Sequence, residues 1–265
     1  MISIVTSLFR SDSYLDKYQK NLVFFVDYLL KKNIDFEIII IANDPTKKEI
    51  TFAEFFKNRS WFTFVSVPRE TLYASWNRGV RISKGNFIGF WNVDDVRRPE
   101  AIVKAVELFD EGAQVVNFPF VVRWYIKFFG YHLLVKWKKI IPPAFDRIEF
   151  TRSMHCGPFF IFSKETYKNV GQFDEQFKIV ADFDWCIRAA KFTDKFYLAK
   201  EPAGVFRVDG KGLSSGGKPI HQAENNIVYK RYGVEDKIVV GYEDLEQQYC
   251  VDKIKVDGQY NKFIF

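Results

Sequence analysis

The feature that most constrains the fold is a regular alternation of short apolar runs with longer amphipathic segments. The clearest run, residues 36–42, is almost wholly apolar and stops at Asn43-Asp44-Pro45. Such a run is typical of a strand that is covered on both faces of a sheet. Strands that alternate with helices predict an α/β fold with a mostly parallel sheet and right-handed crossovers. We predict strands over residues 2–6, 36–42, 61–67, 87–91, 115–122, 158–162 and 205–208.

The run at residues 87–91 leads straight into Asn92-Val93-Asp94-Asp95. In open α/β sheets, ligands bind beyond the carboxyl ends of the strands. Two adjacent carboxylates repel each other, and a divalent cation relieves that repulsion, because Mg²⁺ and Mn²⁺ prefer oxygen ligands. The alternative is that Asp95 only caps the helix that begins near Pro99. The stretch alone leaves both interpretations open.

Charge and cysteine usage narrow the class of partner and the compartment. The net charge of +6 and the pI near 9.0 favour anionic partners, such as nucleotides, phosphorylated lipids, a membrane surface or nucleic acid. Cys156, Cys186 and Cys250 form no Cys-x-x-Cys pair, which argues against a disulfide framework or a zinc site. Met1 leads directly into an apolar run, and no apolar run has the roughly 18 residues that a membrane span needs. We therefore expect a cytoplasmic protein.

Residues 123–152 interrupt the alternation with a basic, aromatic segment. No acidic residue precedes Asp146 in it. The segment is suited to resting on lipid headgroups at the inner face of a membrane, or to covering an acceptor as a lid. It could equally be a connection packed on the domain with solvated lysines. Its aromatic and basic residues are Trp124, Tyr125, Phe128, Phe129, Tyr131 and Trp137 with Arg123, Lys127, Lys136, Lys138 and Lys139.

Two later segments contain candidate functional residues. Phe183, Cys186, Ile187 and Ala190 share one face of a helix, with Asp182 at its start, where an Asp could be no more than an N-cap. After the last predicted strand, residues 209–217 form a glycine-rich loop that suits phosphate or plain solvent equally. The loop matches neither a P-loop nor a dinucleotide-binding fingerprint.

Three blocks of the chain, taken together, resemble an inverting glycosyltransferase of family 2. Each block is short, but their order and spacing over residues 2–232 are specific. The resemblance implies a GT-A fold, a Rossmann-like three-layer α/β/α sandwich with a mostly parallel central sheet. The blocks are Asn77-Arg78-Gly79 with Asn92-Val93-Asp94-Asp95, Gly171-Gln172-Phe173-Asp174-Glu175, and Ala181-Asp182-Phe183-Asp184-Trp185.

The resemblance also implies a division of the chain. Residues 1–232 would form the glycosyltransferase domain, with a nucleotide-binding half over residues 1–117 and an acceptor-binding half over 118–232. The basic aromatic insertion lies in the second half, and residues 233–265 would be a C-terminal tail.

The implied activity is transfer of a sugar from a UDP- or dTDP-linked donor to a hydroxyl of a glycan or a lipid-linked acceptor. By resemblance, Asp182 is the catalytic base, and Mn²⁺ or Mg²⁺ assists departure of the diphosphate. The implied donor-binding residues are Thr6, Ser7, Arg10, Asp44, Asn77, Arg78, Asn92 and Asp94. The implied metal ligands are Asp94, Asp95 and Asp209, and the implied acceptor-side residues are Asp184 and Trp185.

The chain departs from the family pattern at two positions. Asn92 replaces the first Asp of the Asp-x-Asp element, and the metal-binding His that many relatives carry after the last strand is absent. Asp209 is the residue that could replace that His. The rival functions are a sugar-phosphate nucleotidyltransferase and a non-catalytic membrane- or glycan-binding module. A nucleotidyltransferase would carry a glycine-rich loop after the first strand, but residues 7–11 contain no Gly. Nucleic-acid binding is not expected, because the basic and aromatic residues cluster in one insertion.

Overall fold

A seven-stranded sheet runs through the centre of the protein, and a four-stranded sheet adjoins it. The computed structural model describes residues 1–129, 131–210, 212–213 and 219–248. Most of the glycine-rich loop, Cys250 and the end of the tail lie outside the described residues. The strands are β1 (Ile2–Leu8), β2 (Phe36–Asn43), β3 (Phe62–Val67), β4 (Phe87–Phe90), β5 (Val96–Arg97), β6 (Val115–Asn117), β7 (Phe120–Phe128), β8 (Tyr131–Ile140), β9 (Ile161–Ser163), β10 (Phe196–Leu198) and β11 (Gly204–Val208).

The central sheet has the order β10-β6-β9-β4-β1-β2-β3, and only β9 runs antiparallel to its neighbours. The prediction of a mostly parallel sheet is confirmed. The helices are α1 (Asp12–Lys31), α2 (Lys47–Phe56), α3 (Leu72–Ile82), α4 (Pro99–Asp110), α5 (Arg147–Phe150), α6 (Lys164–Val170), α7 (Ala181–Phe192), α8 (Pro219–Tyr232) and α9 (Glu243–Gln248), with a 3-10 turn at Glu235–Lys237.

The packing of β2 on both of its faces explains why residues 38–42 are all apolar. Ile38 and Ile40 pack into one core with α1, α2 and α4, whereas Ile39 and Ile41 pack into a second core with α3, α6 and α7. Successive side chains of a strand point to opposite faces, so a strand between two helical layers needs apolar residues at every position. The structure is therefore the three-layer sandwich that the sequence predicts.

Helix α3 lies unusually close to β1 because of one glycine. A Cβ added at Gly79 would lie 2.3 Å from Cγ1 of Val5, well inside van der Waals contact. The third residue of the Asn77-Arg78-Gly79 block therefore allows the C-terminal half of α3 to pack closely on β1.

The strand predicted over residues 115–122 is in fact two strands. Strand β6 ends at Asn117, and β7 begins at Phe120 in the second sheet, whose order is β5-β11-β7-β8. Pro119 lies between them, and proline cannot donate the hydrogen bond that a continuous central strand requires. The strand predicted over 158–162 forms only as β9, and β5 and β10 are too short to leave a periodic pattern.

Strands β7 and β8 form a long hairpin in the basic aromatic segment. Its outer part stands clear of the domain: Phe129 is 86% exposed, Tyr131 is 74% exposed and Trp137 is 64% exposed. The interpretation that this segment packs on the domain is wrong for the outer part of the hairpin. It holds for the base of the hairpin, where Trp124 and Ile140 pack against the first core, and for the part around α5, where Phe150 is buried in the second core.

The described part of the C-terminal tail is attached to α8. The Asn226 amide nitrogen donates to the Val239 carbonyl and to Oε1 of Glu246, both at 2.7 Å. The chain therefore continues to pack on the domain past residue 232, where the tail was predicted to begin. No helix among the described residues has both the length and the apolar character to cross a bilayer.

Candidate active site

The carboxyl ends of β1, β2 and β4 lie side by side. Leu8 is opposite Ala42 on β2, and Val5 is opposite Phe90 on β4. The segments that follow these strands therefore begin at one edge of the sheet. The Asn43 amide joins two of them by donating to Oγ of Ser7 and to the Leu8 carbonyl, both at 3.3 Å.

Arg10 and Asp44 follow the first two strands, and both are exposed. Both have a left-handed backbone, with φ of 49° and 43°. Non-glycine residues rarely adopt this conformation, and such residues cluster at ligand sites. Of the predicted nucleotide-binding residues, these two are the most accessible.

Thr6 points into the first core. Its side chain is fully buried, and its hydroxyl donates to the Trp91 carbonyl at 2.8 Å and lies 2.8 Å from the Tyr18 hydroxyl. Thr6 therefore joins β1 to the end of β4. Its contact with the nucleotide stays a prediction.

The Asn77 amide likewise forms its hydrogen bonds inside the protein. The amide nitrogen donates to the Phe173 carbonyl at 2.9 Å and to Oε1 of Glu175 at 2.8 Å. The amide oxygen accepts from the Tyr167 hydroxyl at 2.8 Å and from the Phe173 N–H at 3.0 Å. All four hydrogen-bonding positions of the amide are filled. Asn77 joins the first family block to the second, and its role in donor binding stays a prediction.

Arg78 lies at the cleft edge but is already paired. Its Nη2 donates to Oε2 of Glu70 at 2.8 Å and its Nε donates to Oε1 at 3.1 Å. Hydrogen bonding to Glu70 raises the pKa of the guanidinium further. The side chain is 37% exposed, so its outer face remains accessible.

Asp94 and Asp209 form an acidic corner between the two sheets. The Tyr14 hydroxyl and Nε of Arg207 both donate to Oδ2 of Asp209, at 2.9 and 3.0 Å. Burial raises the pKa of Asp94, Asp209 raises it further, and Arg207 opposes the change. Burial, followed by Asp209, raises the pKa of Tyr14 to about 12. The two carboxylates are close enough to repel each other.

Arg207 places a positive charge in this corner, and no sequence motif indicated its role. Its side chain is only 11% exposed, and its guanidinium lies over Tyr125 at 4.3 Å from the ring centre. Among the described residues, no hydrogen bond leaves its two terminal nitrogens, since Nε alone holds Asp209. A planar guanidinium with two free N–H edges is well suited to a phosphate group.

Asp95 points into the protein. It is 3% exposed, and its Oδ1 accepts from the Arg207 N–H at 2.8 Å while Oδ2 lies 3.4 Å from the Asn92 amide nitrogen. Burial and then Asp94 raise its pKa well above the ordinary range. Both carboxylate oxygens of Asp95 thus face partners inside the protein, and its role as a metal ligand stays a prediction. The helix-cap alternative is wrong, because the N-cap of α4 is Arg98.

A divalent cation finds few protein ligands at this corner. Among the described residues, no three His, Cys, Asp or Glu side chains are grouped so that they could hold a metal ion. Asp95 is turned inward, and Asp209 is held by Arg207 and Tyr14. Asp94 remains, and its pKa is raised first by burial and then by the nearby charge of Asp209. These residues fit a cation that is shared with phosphate oxygens, a common mode for Mg²⁺, and do not fit one that the protein holds alone.

Asp182 is the second residue of α7 and lies in its first turn. The N-cap is Val180, so the interpretation of Asp182 as the N-cap is wrong. Its Oδ1 accepts from its neighbour's N–H, that of Phe183, at 2.9 Å and from the Tyr73 hydroxyl at 3.1 Å. Burial raises the pKa of this carboxyl to about 6. A carboxylate with that pKa is ionised at neutral pH and is still a stronger base than an ordinary aspartate.

Glu224, on α8, fixes the position of the α7 N-terminus. It is 1% exposed, and it accepts the Lys178 and Ile179 N–H groups at 2.8 Å each and the Val180 N–H at 3.3 Å. It therefore satisfies the N–H of the N-cap residue and those of the two residues that lead into the helix. No motif marks Glu224 or Tyr73 in the sequence, because both act through contacts between distant segments.

Asp184 and Trp185 are fully buried, and their place on the acceptor side stays a prediction. Asp184 accepts from Arg188, Arg231 and Tyr232 at 3.0, 2.6 and 2.8 Å. Burial alone would raise the pKa of Asp184, but the two guanidinium groups outweigh it and hold the pKa below the usual value. The Trp185 indole donates to the Gly171 carbonyl at 2.9 Å. Both residues join the third family block to the second.

Comparison with known proteins agrees with this architecture. A family model described as Glycosyl transferase family 2 matches residues 4–171. The crystal structure of Staphylococcus aureus TarS 1–349 in complex with UDP-GlcNAc has a TM-score of 0.66 at 15% identity, covering 94% of this chain and 70% of that one. The mannosyltransferase PcManGT from Pyrobaculum calidifontis, in complex with GDP-Man and Mn²⁺, has a TM-score of 0.56 at 13% identity, covering 88% and 62%. No curated protein sequence matches significantly.

Proposed function

The chain belongs to glycosyl transferase family 2, and on that premise we propose that it transfers a sugar, with inversion, from a UDP- or dTDP-linked donor to a hydroxyl of a glycan or a lipid-linked saccharide. Membership in this family makes the protein a glycosyltransferase with a GT-A fold. The rival nucleotidyltransferase and the non-catalytic module are therefore set aside.

The observation that carries this proposal is the environment of Asp182. Its carboxyl group has a pKa near 6, and the Tyr73 hydroxyl orients the carboxylate from one side. In the proposed reaction, Asp182 takes the proton of the acceptor hydroxyl while the oxygen attacks the anomeric carbon. The bond between that carbon and the diphosphate breaks, and the electron pair leaves with the nucleoside diphosphate. Positioned general bases contribute roughly 10² to 10⁴-fold to such rates.

The acidic corner is the part of the site that would receive the diphosphate. Asp94, with Asn92 beside it, would hold a Mn²⁺ or Mg²⁺ ion together with phosphate oxygens. When bound there, that cation would supply Lewis-acid neutralisation of the leaving group. Arg207 would add a resident positive charge that helps to neutralise the leaving diphosphate.

The exposed ends of β1 and β2 are suited to the nucleotide. Arg10 and Asp44 would contact the base and ribose, with Ser7 beside them and the outer face of Arg78 towards phosphate. A TarS structure holds UDP-GlcNAc, whereas PcManGT holds GDP-Man. We favour a UDP-type donor, in line with the resemblance of Asp44 to the uracil-facing residue of the family.

A thermal-shift panel tests the donor class directly. UDP, dTDP, GDP and CMP are each added with and without Mn²⁺, to the wild type and to Asp94→Asn. A ligand at 100 times its Kd adds about 2.7 kcal/mol of stability. We expect stabilisation of the wild type by UDP or dTDP that depends on Mn²⁺, and no effect of Mn²⁺ in Asp94→Asn. Equal responses to all four nucleotides, or to none, would contradict the proposed donor class.

A further inference from the structure

The β7–β8 hairpin (Phe120–Phe128 with Tyr131–Ile140) carries apolar surface far from any protein partner. Beyond the partly buried Trp124, the described side chains of its outer half have no core to enter. Exposed apolar surface of this extent marks an interaction site. The exposed fractions are 50% for Ile126, 54% for Phe128, 86% for Phe129, 74% for Tyr131, 46% for Leu133, 49% for Leu134 and 54% for Val135.

The two strands place these residues in a definite order. Phe128 lies opposite Tyr131, and Ile126 lies opposite Leu133, so aromatic and aliphatic pairs occupy the tip. Nearer the domain, Trp124 is opposite Lys136. One face of the tip is thus apolar, Lys127 lies opposite His132 on the other face, and the part next to the domain is basic. The three steps from Tyr125 to Phe128 span about 10 Å at the rise of a strand.

The charge of the hairpin has one sign only. Arg123, Lys127, Lys136, Lys138 and Lys139 give it a charge of +5, and no acidic residue lies in it, while the whole chain has a net charge of +6. The lysine side chains at 136, 138 and 139 are exposed, and none of the three makes an ion pair. These charges therefore have no anionic partner among the described residues.

From this geometry we infer that the hairpin docks the protein on a membrane surface that contains anionic lipids. The aromatic tip enters the boundary between headgroups and acyl chains, a layer about 5 to 10 Å deep, which the length of the tip matches. The lysines meet the headgroups, where each contributes favourable attraction. Long lysine stems can cover apolar surface while the charge stays in the headgroup layer.

A second copy of the chain fits this surface less well. Strand β8 is the outer strand of its sheet, so it could pair with β8 of another molecule. That pairing would bring two sets of Lys136, Lys138 and Lys139 together, and lysines on an edge strand are a common device against such pairing. Anionic lipid satisfies the same charges instead.

The hairpin also lies next to the candidate active site. Tyr125 is on the strand that leads to the tip, and the Arg207 guanidinium of the acidic corner stacks on its ring at 4.3 Å. Strand β11 pairs with β7, with Arg207 opposite Arg123. A protein docked through the tip would therefore hold its site close to the membrane surface, where a lipid-linked acceptor resides. The docking inference itself does not depend on the proposed reaction.

Co-sedimentation with vesicles tests the inference. The wild type is mixed with vesicles of phosphatidylcholine alone and with vesicles that also contain phosphatidylglycerol. We expect binding to the anionic vesicles that weakens as salt is added. Lys136, Lys138 and Lys139, all changed to Glu, should lower the affinity at least 100-fold, because each lysine near the surface is worth about 1 kcal/mol. Phe129→Ser should lower it at least tenfold, since it removes an apolar side chain from the interface.

Matched control variants distinguish an effect of the hairpin's residues from an effect of net charge or of losing an exposed phenylalanine elsewhere. Lys17, Lys20 and Lys195, changed together to Glu, give the same net charge from exposed sites outside the hairpin. Phe55→Ser removes a phenylalanine that is 61% exposed on α2. These variants should bind vesicles as the wild type does. Nucleotide thermal shifts should be unchanged in the hairpin variants, so a failure of docking is distinguishable from a failure of the proposed function.

Three outcomes would overturn the inference. The first is that the wild type binds neither kind of vesicle. The second is that the lysine variants of the hairpin and of the control set lose binding equally, which would assign binding to net charge alone. The third is a dimer in solution that Phe129→Ser dissociates, which would assign the tip to a second copy.

Discussion

Asp182→Asn should stabilise the protein while it removes transfer, and the size of the gain follows from the pKa of this group. Burial raises the pKa of Asp182 to about 6 from an ordinary value of 3.8. Each pKa unit corresponds to about 1.36 kcal/mol, so ionising Asp182 costs the folded state about 3 kcal/mol. An asparagine there is uncharged, and its oxygen can still accept from Phe183 and Tyr73.

The sign of the pH dependence is fixed by the direction of that shift. Between about pH 4 and 6 the folded protein binds the Asp182 proton more tightly than the unfolded chain does, so this group lowers stability as pH rises through that range. Urea unfolding should therefore show Asp182→Asn more stable than the wild type by about 1 to 3 kcal/mol near pH 8, and nearly equal to it near pH 4. Asp27→Asn, at an exposed carboxylate of α1, is the matched control and should change little at either pH.

The reasoning is refuted if Asp182→Asn is less stable than the wild type near pH 8. It is also refuted if the difference is the same at both pH values, because the effect would then be one of packing and not of charge. Wild-type transfer by the variant would remove Asp182 from the role of base.

Three further variants probe the neighbouring groups. Tyr73→Phe removes a hydrogen bond that lowers the pKa of Asp182, so the acid limb of the transfer rate against pH should move up by about one unit. Asp94→Asn should raise the Mn²⁺ concentration needed for half-maximal transfer at least tenfold, measured by metal titration at saturating donor. Asp184→Asn removes the charge of a fully buried carboxylate that pairs with both Arg188 and Arg231, and it should cost about 3 to 5 kcal/mol in urea unfolding.

Each of these three predictions has a result that would contradict it. If the acid limb of the transfer rate against pH is unchanged in Tyr73→Phe, the Tyr73 hydroxyl does not lower the pKa of Asp182. An unchanged metal requirement in Asp94→Asn would remove that residue as a ligand. A folded Asp184→Asn with wild-type stability and a weakened acceptor KM would place Asp184 on the acceptor side.

The sequence predicted what depends on local pattern. The apolar run of β2 and the alternation around it specify a parallel sheet covered on both faces, and the structure has that sheet. The turns after β1, β2 and β4 could be located because ligand-binding segments follow the carboxyl ends of strands. The hairpin could not be predicted from alternation, since both of its faces are apolar and basic in the outer half.

The roles of individual polar residues were harder to predict, because motif position does not determine which way a side chain points. Asn77, Asp184 and Trp185 lie in recognisable blocks, yet all are buried and join those blocks to each other. Conversely, Tyr73 and Glu224 shape the surroundings of Asp182 without belonging to any motif. Their partners lie more than 40 residues away in the sequence, so only the folded chain brings them together.

The most direct test of the central claim is release of nucleoside diphosphate from a panel of nucleotide-sugars, with a saccharide acceptor and Mn²⁺ present. The account predicts that the wild type releases UDP or dTDP from at least one donor, and that Asp182→Asn binds the same nucleotide with unchanged affinity but releases none above the uncatalysed rate. Release by Asp182→Asn at the wild-type rate, or no release from any donor by the wild type, would contradict it.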